Sequence, residues 1–161
     1  MKKIFVVTDN VFIYGEFREI IDVREDAQVD YFCSPKSEHI FKKEIQCGKI
    51  KTLLLKKNEN FIIDNYDLGI SCHSKQVFPS SIVQSKLCIN IHPGLNPFNR
   101  GWYPQVFSII NKMPAGATIH IMDEEIDHGD IVIQEEIRIN NCDNSLDAYT
   151  RIQAKEIELL T

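Results

Sequence analysis

The sequence lacks paired cysteines and long apolar runs, and each absence excludes a class of protein. Its 161 residues include five cysteines, an odd number with no Cys-x-x-Cys spacing. We therefore predict free thiols in a reducing compartment rather than a disulfide framework. The first apolar run covers only residues 4–7, which is too short for a signal peptide or a membrane span. We expect a cytoplasmic protein with no membrane partner.

Clustered basic residues are also missing. The net charge is −5, and residues 120–161 carry 3 basic against 11 acidic side chains. Proteins that bind nucleic acid gather Lys and Arg against the phosphates. The composition therefore favours a small ligand and excludes nucleic acid as the expected partner.

A glycine-rich phosphate loop is absent after the first predicted strand, where Thr8, Asp9 and Asn10 stand instead of Gly-x-Gly-x-x-Gly. A dinucleotide-binding fold in the strict sense is therefore not expected. With 43% hydrophobic and 25% charged residues, the chain has the composition of a soluble globular domain.

Apolar runs and helical periodicity alternate along the chain. This alternation predicts an α/β fold with a mostly parallel, doubly wound sheet and helices on both faces. The run at 50–55 contains three leucines and is equally compatible with a helix. In the first helix we expect Phe12, Phe17, Ile20 and Ile21 to face the core; in the last, Leu146, Tyr149, Ile152 and Leu159. The predicted strands are 3–8, 28–33, 50–55, 67–72, 87–92, 117–122 and 130–138, and the predicted helices are 11–23, 37–45, 60–65, 80–85, 103–111 and 145–160.

Two polar residues interrupt the apolar strand at 87–92. Asn90 and His92 are two positions apart and therefore point to the same side of a strand, and Pro93 and Gly94 then end it. Ligands of open α/β sheets bind at the carboxyl ends of the strands, so an amide and an imidazole there are a candidate catalytic pair. The alternative is structural: a hydrogen-bonded histidine, with Asn90 capping the turn.

A carboxylate completes the candidate site. The strand at 117–122 carries Thr118 and His120 on one face and runs into an acidic loop, in which Asp127 precedes Gly129. A carboxylate that folds back from this loop can orient an imidazole, which then handles protons beside an amide that donates to an oxyanion.

Four sequence elements in this order resemble the folate-dependent formyltransferases. The pattern is Asn-x-His, a loop ending in Arg-Gly, Gly-x-Thr-x-His and Asp-x-Gly, and here it occupies positions 90–92, 96–101, 116–120 and 127–129. Within the family the chain is most similar to the sugar-nucleotide N-formyltransferases, because of the segment Phe-Asn-Arg-Gly-Trp-Tyr-Pro-Gln at 98–105.

The resemblance implies a Rossmann-like formyltransferase fold and transfer of a formyl group from 10-formyltetrahydrofolate, as co-substrate, to the amine of a TDP-4-amino-4,6-dideoxy sugar. The product would serve bacterial surface polysaccharide (O-antigen, lipopolysaccharide) synthesis. The alternatives are a formyltransferase for another amine, methionyl-tRNA or a purine precursor, and a non-catalytic remnant that only binds ligand.

The resemblance also implies roles for particular residues. Asn90, His92 and Asp127 would be catalytic: Asn90 would bond the formyl oxygen, His92 would stabilise that charge or shuttle the amine proton, and Asp127 would hold His92. Main-chain groups of two segments would contact the pterin ring; these are Gln76, Val77 and Phe78 on one wall and Asp123 and Glu124 on the other.

Four side chains are candidates for the substrate. Lys75 and Arg100 could contact phosphate or carboxylate, or remain solvated at the surface. Trp102 and Tyr103 could stack on a nucleotide base, or cover the helix that follows. The ring of Phe78 could equally be a ligand-facing surface or part of the core.

A metal site is not expected. Cys72, His73, Cys88 and His92 have no zinc-ligand spacing, and adjacent residues of an extended chain point to opposite faces.

Family members continue beyond the last helix into elements that help to build a dimer. We expect residues 1–161 to form a single formyltransferase catalytic domain without that extension, and a homodimer to be weakened by its absence.

Overall fold

The computed structural model describes residues 1–161 and contains seven strands and six α-helices. Residues Pro35–Ser37 and Leu55–Lys57 form 3₁₀ turns. No helix combines the length and the apolar character that crossing a membrane requires. The strands are β1 Lys2–Thr8, β2 Ala27–Cys33, β3 Lys51–Thr52, β4 Leu68–Cys72, β5 Leu87–His92, β6 Ala115–Ile121 and β7 Ile131–Ile137, and the helices are α1 Val11–Ile21, α2 Lys42–Gln46, α3 Glu59–Asn65, α4 Ser80–Ser85, α5 Pro104–Asn111 and α6 Ser145–Leu159.

The chain divides into two compact units, Met1–Ile89 and Asn90–Thr161. The boundary falls inside β5, so residues 87–89 belong to the first unit and residues 90–92 to the second. The prediction of a single domain over 1–161 stays a prediction.

The first unit is built on parallel strands. β1 pairs in parallel with β2 on one side and with β4 on the other, and β2 pairs in parallel with β3. Phe5, Val6 and Val7 of β1 are buried and Ile4 is partly buried, as the continuous apolar run of residues 4–7 predicts for a strand covered on both faces. Phe5 lies at the centre of this core, with its ring 5.5 Å from that of Tyr66 and 5.7 Å from that of Phe78.

The second unit contains the antiparallel pair of β6 and β7, with the register Ala115↔Ile137 and Thr118↔Gln134. α6 packs against this pair through an apolar cluster that includes Ala117 and Ile152. A capping box between Asn144 and Asp147 begins the helix and satisfies main-chain N–H groups of its first turn.

These elements confirm the predicted α/β class and correct several details. The expected strand at 50–55 is shortened to β3: the Gln76 amide bonds the carbonyl of Leu53 and the N–H of Leu55, and a 3₁₀ turn begins at Leu55. The expected helix at 37–45 is reduced to α2 at its C-terminal end and is preceded by a 3₁₀ turn.

Two predictions of helix faces were also wrong. Phe12 of α1 is exposed, and the buried side chains of that helix are Ile13, Tyr14 and Phe17. Leu146 of α6 is exposed because it lies in the first helical turn, before the apolar cluster begins.

Candidate active site

The carboxyl end of β5 presents a buried imidazole. His92 is 4% exposed and is followed directly by the turn at Pro93 and Gly94. A side chain at position 94 would overlap Nε2 of His92 and lie 2.9 Å from its Cδ2. Glycine at this position therefore leaves the room that the imidazole ring occupies.

Asp127 is the centre of the hydrogen-bond network in the second unit. Its side chain is 10% exposed. Oδ1 accepts a hydrogen bond from Nδ2 of Asn90 at 2.8 Å, and Oδ2 accepts one from the main-chain N–H of Gly101 at 2.8 Å. Its backbone has φ +50°, in the left-handed region that aspartate tolerates better than most residues.

Two imidazoles flank the same carboxylate. Nδ1 of His92 lies 3.5 Å from Oδ2 of Asp127, and Nε2 of His120 lies 3.6 Å from Oδ1. Nδ1 of His120 lies 2.9 Å from the carbonyl oxygen of Ile121. Because a carbonyl oxygen only accepts hydrogen bonds, this contact assigns a proton to Nδ1 of His120.

This tautomer determines how the Asn90 amide is used. When His120 is neutral, its Nε2 is an acceptor, and it lies 3.2 Å from Nδ2 of Asn90. The two N–H groups of Asn90 are then directed to His120 and to Asp127. His120 thus fixes the amide from one side while the carboxylate fixes it from the other.

The surroundings of Asp127 keep it ionised. Burial acts to raise its pKa, but the hydrogen bond that His120 can donate from Nε2 when it is protonated, the charge of His92 and the N–H of Gly101 act in the opposite direction and prevail. The pKa of Asp127 therefore lies below its ordinary value, so at neutral pH the group is a carboxylate.

The loop after β5 is held by side chains that the sequence analysis did not assign to the site. Oγ1 of Thr118 donates to the carbonyl of Gly94 at 2.7 Å and accepts from the N–H of Asn96 at 3.1 Å. Nδ2 of Asn96 donates to the main-chain carbonyl of Asp127 at 3.0 Å. Thr118 and His120 are two positions apart and share one face of β6. This alternation was the feature of the sequence that could have assigned both residues to the site.

The structure thus brings together Asn90, His92 and Asp127, as predicted, and adds His120. The side-chain amide of Asn90 contacts Asp127 and His120, so Asn90 does more than cap the turn. The catalytic roles of these groups stay predictions.

The residues expected at one wall of a folate site lie in the first unit. The amide of Gln76 spans the carbonyl of Leu53 and the N–H of Leu55, each at 2.9 Å. Val77 is 72% exposed, whereas Phe78 is 5% exposed and stacks on Phe5. The ring of Phe78 is therefore part of the core, and only its main chain is left for the predicted contact.

The other expected wall lies in the second unit, in the loop between β6 and β7. Asp123 and Glu124 are both exposed. The Asp123 carboxylate accepts from the N–H of Glu125 at 2.9 Å and forms an ion pair with Nδ1 of His128 at 2.7 Å. Hydrogen bonding within this pair lowers the pKa of Asp123 and raises that of His128.

The candidate substrate residues are at the surface of their units. Lys75 and Arg100 are exposed, while Trp102 and Tyr103 are 65% and 62% exposed. The two aromatic rings are 6.0 Å apart at an interplanar angle of 70°. Neither ring is buried against α5, so both are placed where an aromatic ligand can reach them; stacking on a base stays a prediction.

The structure contains no group of three or more His, Cys, Asp or Glu side chains arranged to hold a metal ion.

The sequence profile described as Formyl transferase matches residues 64–161, which is more than half of the chain and includes the entire network around Asp127. The chain belongs to the formyl transferase family. In the crystal structure of a 4-N formyltransferase from Francisella tularensis, the matching chain is 64% identical, with a TM-score of 0.96 over 98% of the present chain. This likeness confirms the Rossmann-like formyltransferase fold.

Two curated relatives have named activities. The dTDP-4-amino-4,6-dideoxyglucose formyltransferase of Mycobacterium bovis is 48% identical over 99 residues, or 62% of the present chain. A methionyl-tRNA formyltransferase of Borreliella afzelii is 32% identical over 160 residues, or 90% of the chain. The chain spans 42% of the length of the first, 51% of the second and 65% of the Francisella chain.

Proposed function

We propose that this chain carries the catalytic part of an N-formyltransferase, which transfers a formyl group from 10-formyltetrahydrofolate to the amine of a TDP-linked 4-amino-4,6-dideoxy sugar. The observation that carries the proposal is the Asp127 carboxylate, surrounded in the second unit by Asn90, His92 and His120. The sugar acceptor is supported by the name of the relative with 48% identity, a dTDP-4-amino-4,6-dideoxyglucose formyltransferase.

In the proposed reaction the chain's own residues manage protons. The donor, when bound, supplies the formyl carbon. The attacking amine forms a C–N bond and must lose a proton, while the nitrogen that leaves must gain one. Nδ1 of His92 faces Asp127 at 3.5 Å, so the other ring nitrogen, Nε2, is the atom that would take and return this proton. A positioned imidazole of this kind contributes about 10²–10⁴ in rate.

Asp127 would support that cycle through charge. Its carboxylate stabilises the imidazolium form of His92 and fixes the orientation of the ring. Because the pKa of Asp127 is lowered by its partners, the carboxylate stays ionised while His92 changes its protonation state. Asp127 therefore does not need to carry the proton itself.

Asn90 would donate to the formyl oxygen as negative charge develops there. In the present arrangement its Nδ2 lies 2.8 Å from Asp127 and 3.2 Å from His120. The contact with His120 is the longer, and it is the one that would give way to a ligand oxygen. Loss of such a donor costs about 3–4 kcal/mol of transition-state stabilisation in comparable sites.

The binding residues fit the two substrates on chemical grounds. Val77 is exposed in the first unit, and Asp123 and Glu124 are exposed in the second; we assign the main-chain groups at these positions to the pterin ring. Trp102 and Tyr103 offer exposed rings for a nucleotide base.

Arg100 and Lys75 offer cations for a diphosphate or a carboxylate. Assigning these residues to folate and TDP is part of the proposal.

The same proposal includes a biological setting. A formamido sugar would serve surface polysaccharide synthesis, with the O-antigen as the expected product. None of the five cysteines forms a disulfide, in keeping with a reaction in the cytoplasm. The excess of acidic over basic residues at 120–161 disfavours nucleic acid as a partner, and the homodimer that the family resemblance implies is part of the same proposal.

Calorimetry and a transfer assay test the proposal directly. We expect this chain to bind 5-formyltetrahydrofolate and TDP but not AMP, and to formylate a TDP-4-amino sugar. His92→Ala should abolish transfer and keep both ligands bound. Wild-type turnover by His92→Ala would contradict the assigned role, and binding of both ligands without any transfer would favour a remnant that only binds.

A second acceptor is supported by the methionyl-tRNA formyltransferase relative, which matches 90% of the chain at 32% identity. Methionyl-tRNA should therefore be offered as a competing acceptor in the same assay. Its formylation in preference to the amino sugar would replace the acceptor in our proposal while leaving the role of Asp127 and His92 unchanged.

A further inference from the structure

The first unit contains a buried carboxylate that the proposed chemistry does not use. Asp9 directly follows β1 and is 4% exposed. Carboxylates are rarely this buried unless hydrogen bonds satisfy them. Its surroundings therefore indicate what it does.

Asp9 connects the strands on both sides of β1. Oδ1 accepts from the N–H and the hydroxyl of Ser34, at 2.9 and 2.6 Å, and Ser34 directly follows β2. Oδ2 accepts from the N–H of Lys75 at 2.6 Å, in the loop that follows β4. The N–H of Asp9 donates to the carbonyl of His73 at 3.2 Å. One residue thus holds the chain at the ends of three adjacent strands.

The loop held in this way is the one that carries candidate binding residues. The loop is held at Lys75, whose main-chain N–H binds Asp9, and at Gln76, whose side-chain amide binds the main chain of Leu53 and Leu55. The fixed main chain leaves the side chains of Lys75 and Val77 exposed. A cation and an apolar side chain are therefore presented in a preset arrangement, which lowers the entropy lost when a ligand binds.

We infer that Asp9 is a positioning residue that preorganises the 74–78 loop for the formyl donor. This inference rests on the proposed function, since it assigns the loop to the folate substrate. The groups that Asp9 binds lie in the first unit, whereas the network around Asp127 belongs to the second, so loss of Asp9 should weaken donor binding without altering the chemical step.

Asp9→Asn tests the inference. The amide oxygen can still accept from Ser34, but Nδ2 then faces the N–H of Lys75, donor against donor. We expect the Kd for 5-formyltetrahydrofolate and the KM for the donor to rise about tenfold or more, because a hydrogen bond to a charged group is lost. We expect kcat to stay within about twofold and the Lys75 amide to exchange faster with solvent.

Asp67→Asn is the matched control. The Asp67 carboxylate also accepts a main-chain N–H from β1, that of Lys3 at 2.8 Å, but at the opposite end of the strand. Donor affinity should be unchanged in this variant. If Asp9→Asn does not fold, Asp9→Ala makes the same test, because alanine places no donor against Lys75.

The outcomes separate the inference from the proposed function. Faster Lys75 exchange with unchanged donor affinity and KM would show a structural role only and overturn the inference. A loss of TDP affinity in place of donor affinity would overturn the assignment of the loop to the donor. If the wild-type chain binds no folate, the proposed function fails, and the inference fails with it.

Discussion

Replacing Asp127 by asparagine removes the charge at the centre of the site while keeping the shape of the side chain. Asparagine has one acceptor oxygen, whereas Asp127 accepts from Asn90 on one oxygen and from Gly101 on the other. In either orientation of the new amide, its NH₂ group faces an existing donor at the distance of a hydrogen bond.

The structure sets the size of the effect. Asp127 is 10% exposed, so water cannot replace the lost acceptor. A buried unsatisfied donor costs about 1–3 kcal/mol, and a hydrogen bond to a charged group contributes about 1.5–3 kcal/mol. We expect Asp127→Asn to lower the free energy of unfolding by about 2–4 kcal/mol and the melting temperature by about 5–15 °C.

The catalytic effect should be larger than the structural one. Without the carboxylate, a positive charge on His92 loses the anion that lies 3.5 Å from its Nδ1, and we expect kcat/KM to fall by about 10²–10⁴. Formyl transfer assayed below the melting temperature of the variant, together with thermal denaturation, measures both effects.

The control for this variant is Asp130→Asn, which makes the same chemical change in the same loop at an exposed side chain. It should change neither activity nor stability. If Asp127→Asn had a kcat/KM within a few-fold of wild type and the same melting temperature, the carboxylate would not organise the site and our reasoning would be refuted.

Acid provides an independent check of the Asp127 variant. A carboxylate whose pKa is lowered by folding stabilises the protein above its unfolded value of 3.8, and this stabilisation is lost as the pH falls through the folded value. The difference in unfolding free energy between wild type and Asp127→Asn should therefore be complete at neutral pH and shrink below 3.8.

Three further variants test the surroundings of the site. Gly94→Ala should lower kcat/KM about a hundredfold with a loss of about 1–3 kcal/mol in stability, because the new Cβ displaces the imidazole of His92; turnover and thermal denaturation measure this. His120→Phe should lower kcat about 10–100-fold, because the Asn90 amide loses one of the two groups that orient it. Donor affinity should be unchanged, and steady-state kinetics measure both quantities. The imidazole of His128 should titrate above 6.5 in an NMR experiment, and Asp123→Asn should return it towards that value, because the ion pair that raises its pKa is gone.

Each of these expectations has a control or a contrary result. Gly15→Ala adds a methyl group in α1 where nothing lies within 4 Å, so it should leave activity unchanged. Full activity of His120→Phe would show that the amide holds its orientation without this imidazole. If the pKa of His128 were the same in Asp123→Asn as in the wild type, the ion pair would not be the cause of the raised pKa.

The sequence by itself determined the class of the fold and the family. Local periodicity predicts most strands and helices, and the two-residue alternation of a strand is enough to place Asn90 and His92 on one side. The order of four short motifs indicates a formyltransferase without any knowledge of distances.

Only the tertiary structure decided which groups share a hydrogen bond. Asp127 lies in the loop between two antiparallel strands and has a left-handed backbone conformation. This position brings its carboxylate to Asn90 and Gly101, and no local sequence pattern specifies these contacts. His120 is 30 positions from Asn90, and Asp9 is 25 positions from Ser34 and 66 from Lys75. Their roles depend on burial and on contacts between residues that are distant in sequence, so they become visible only after the chain has folded.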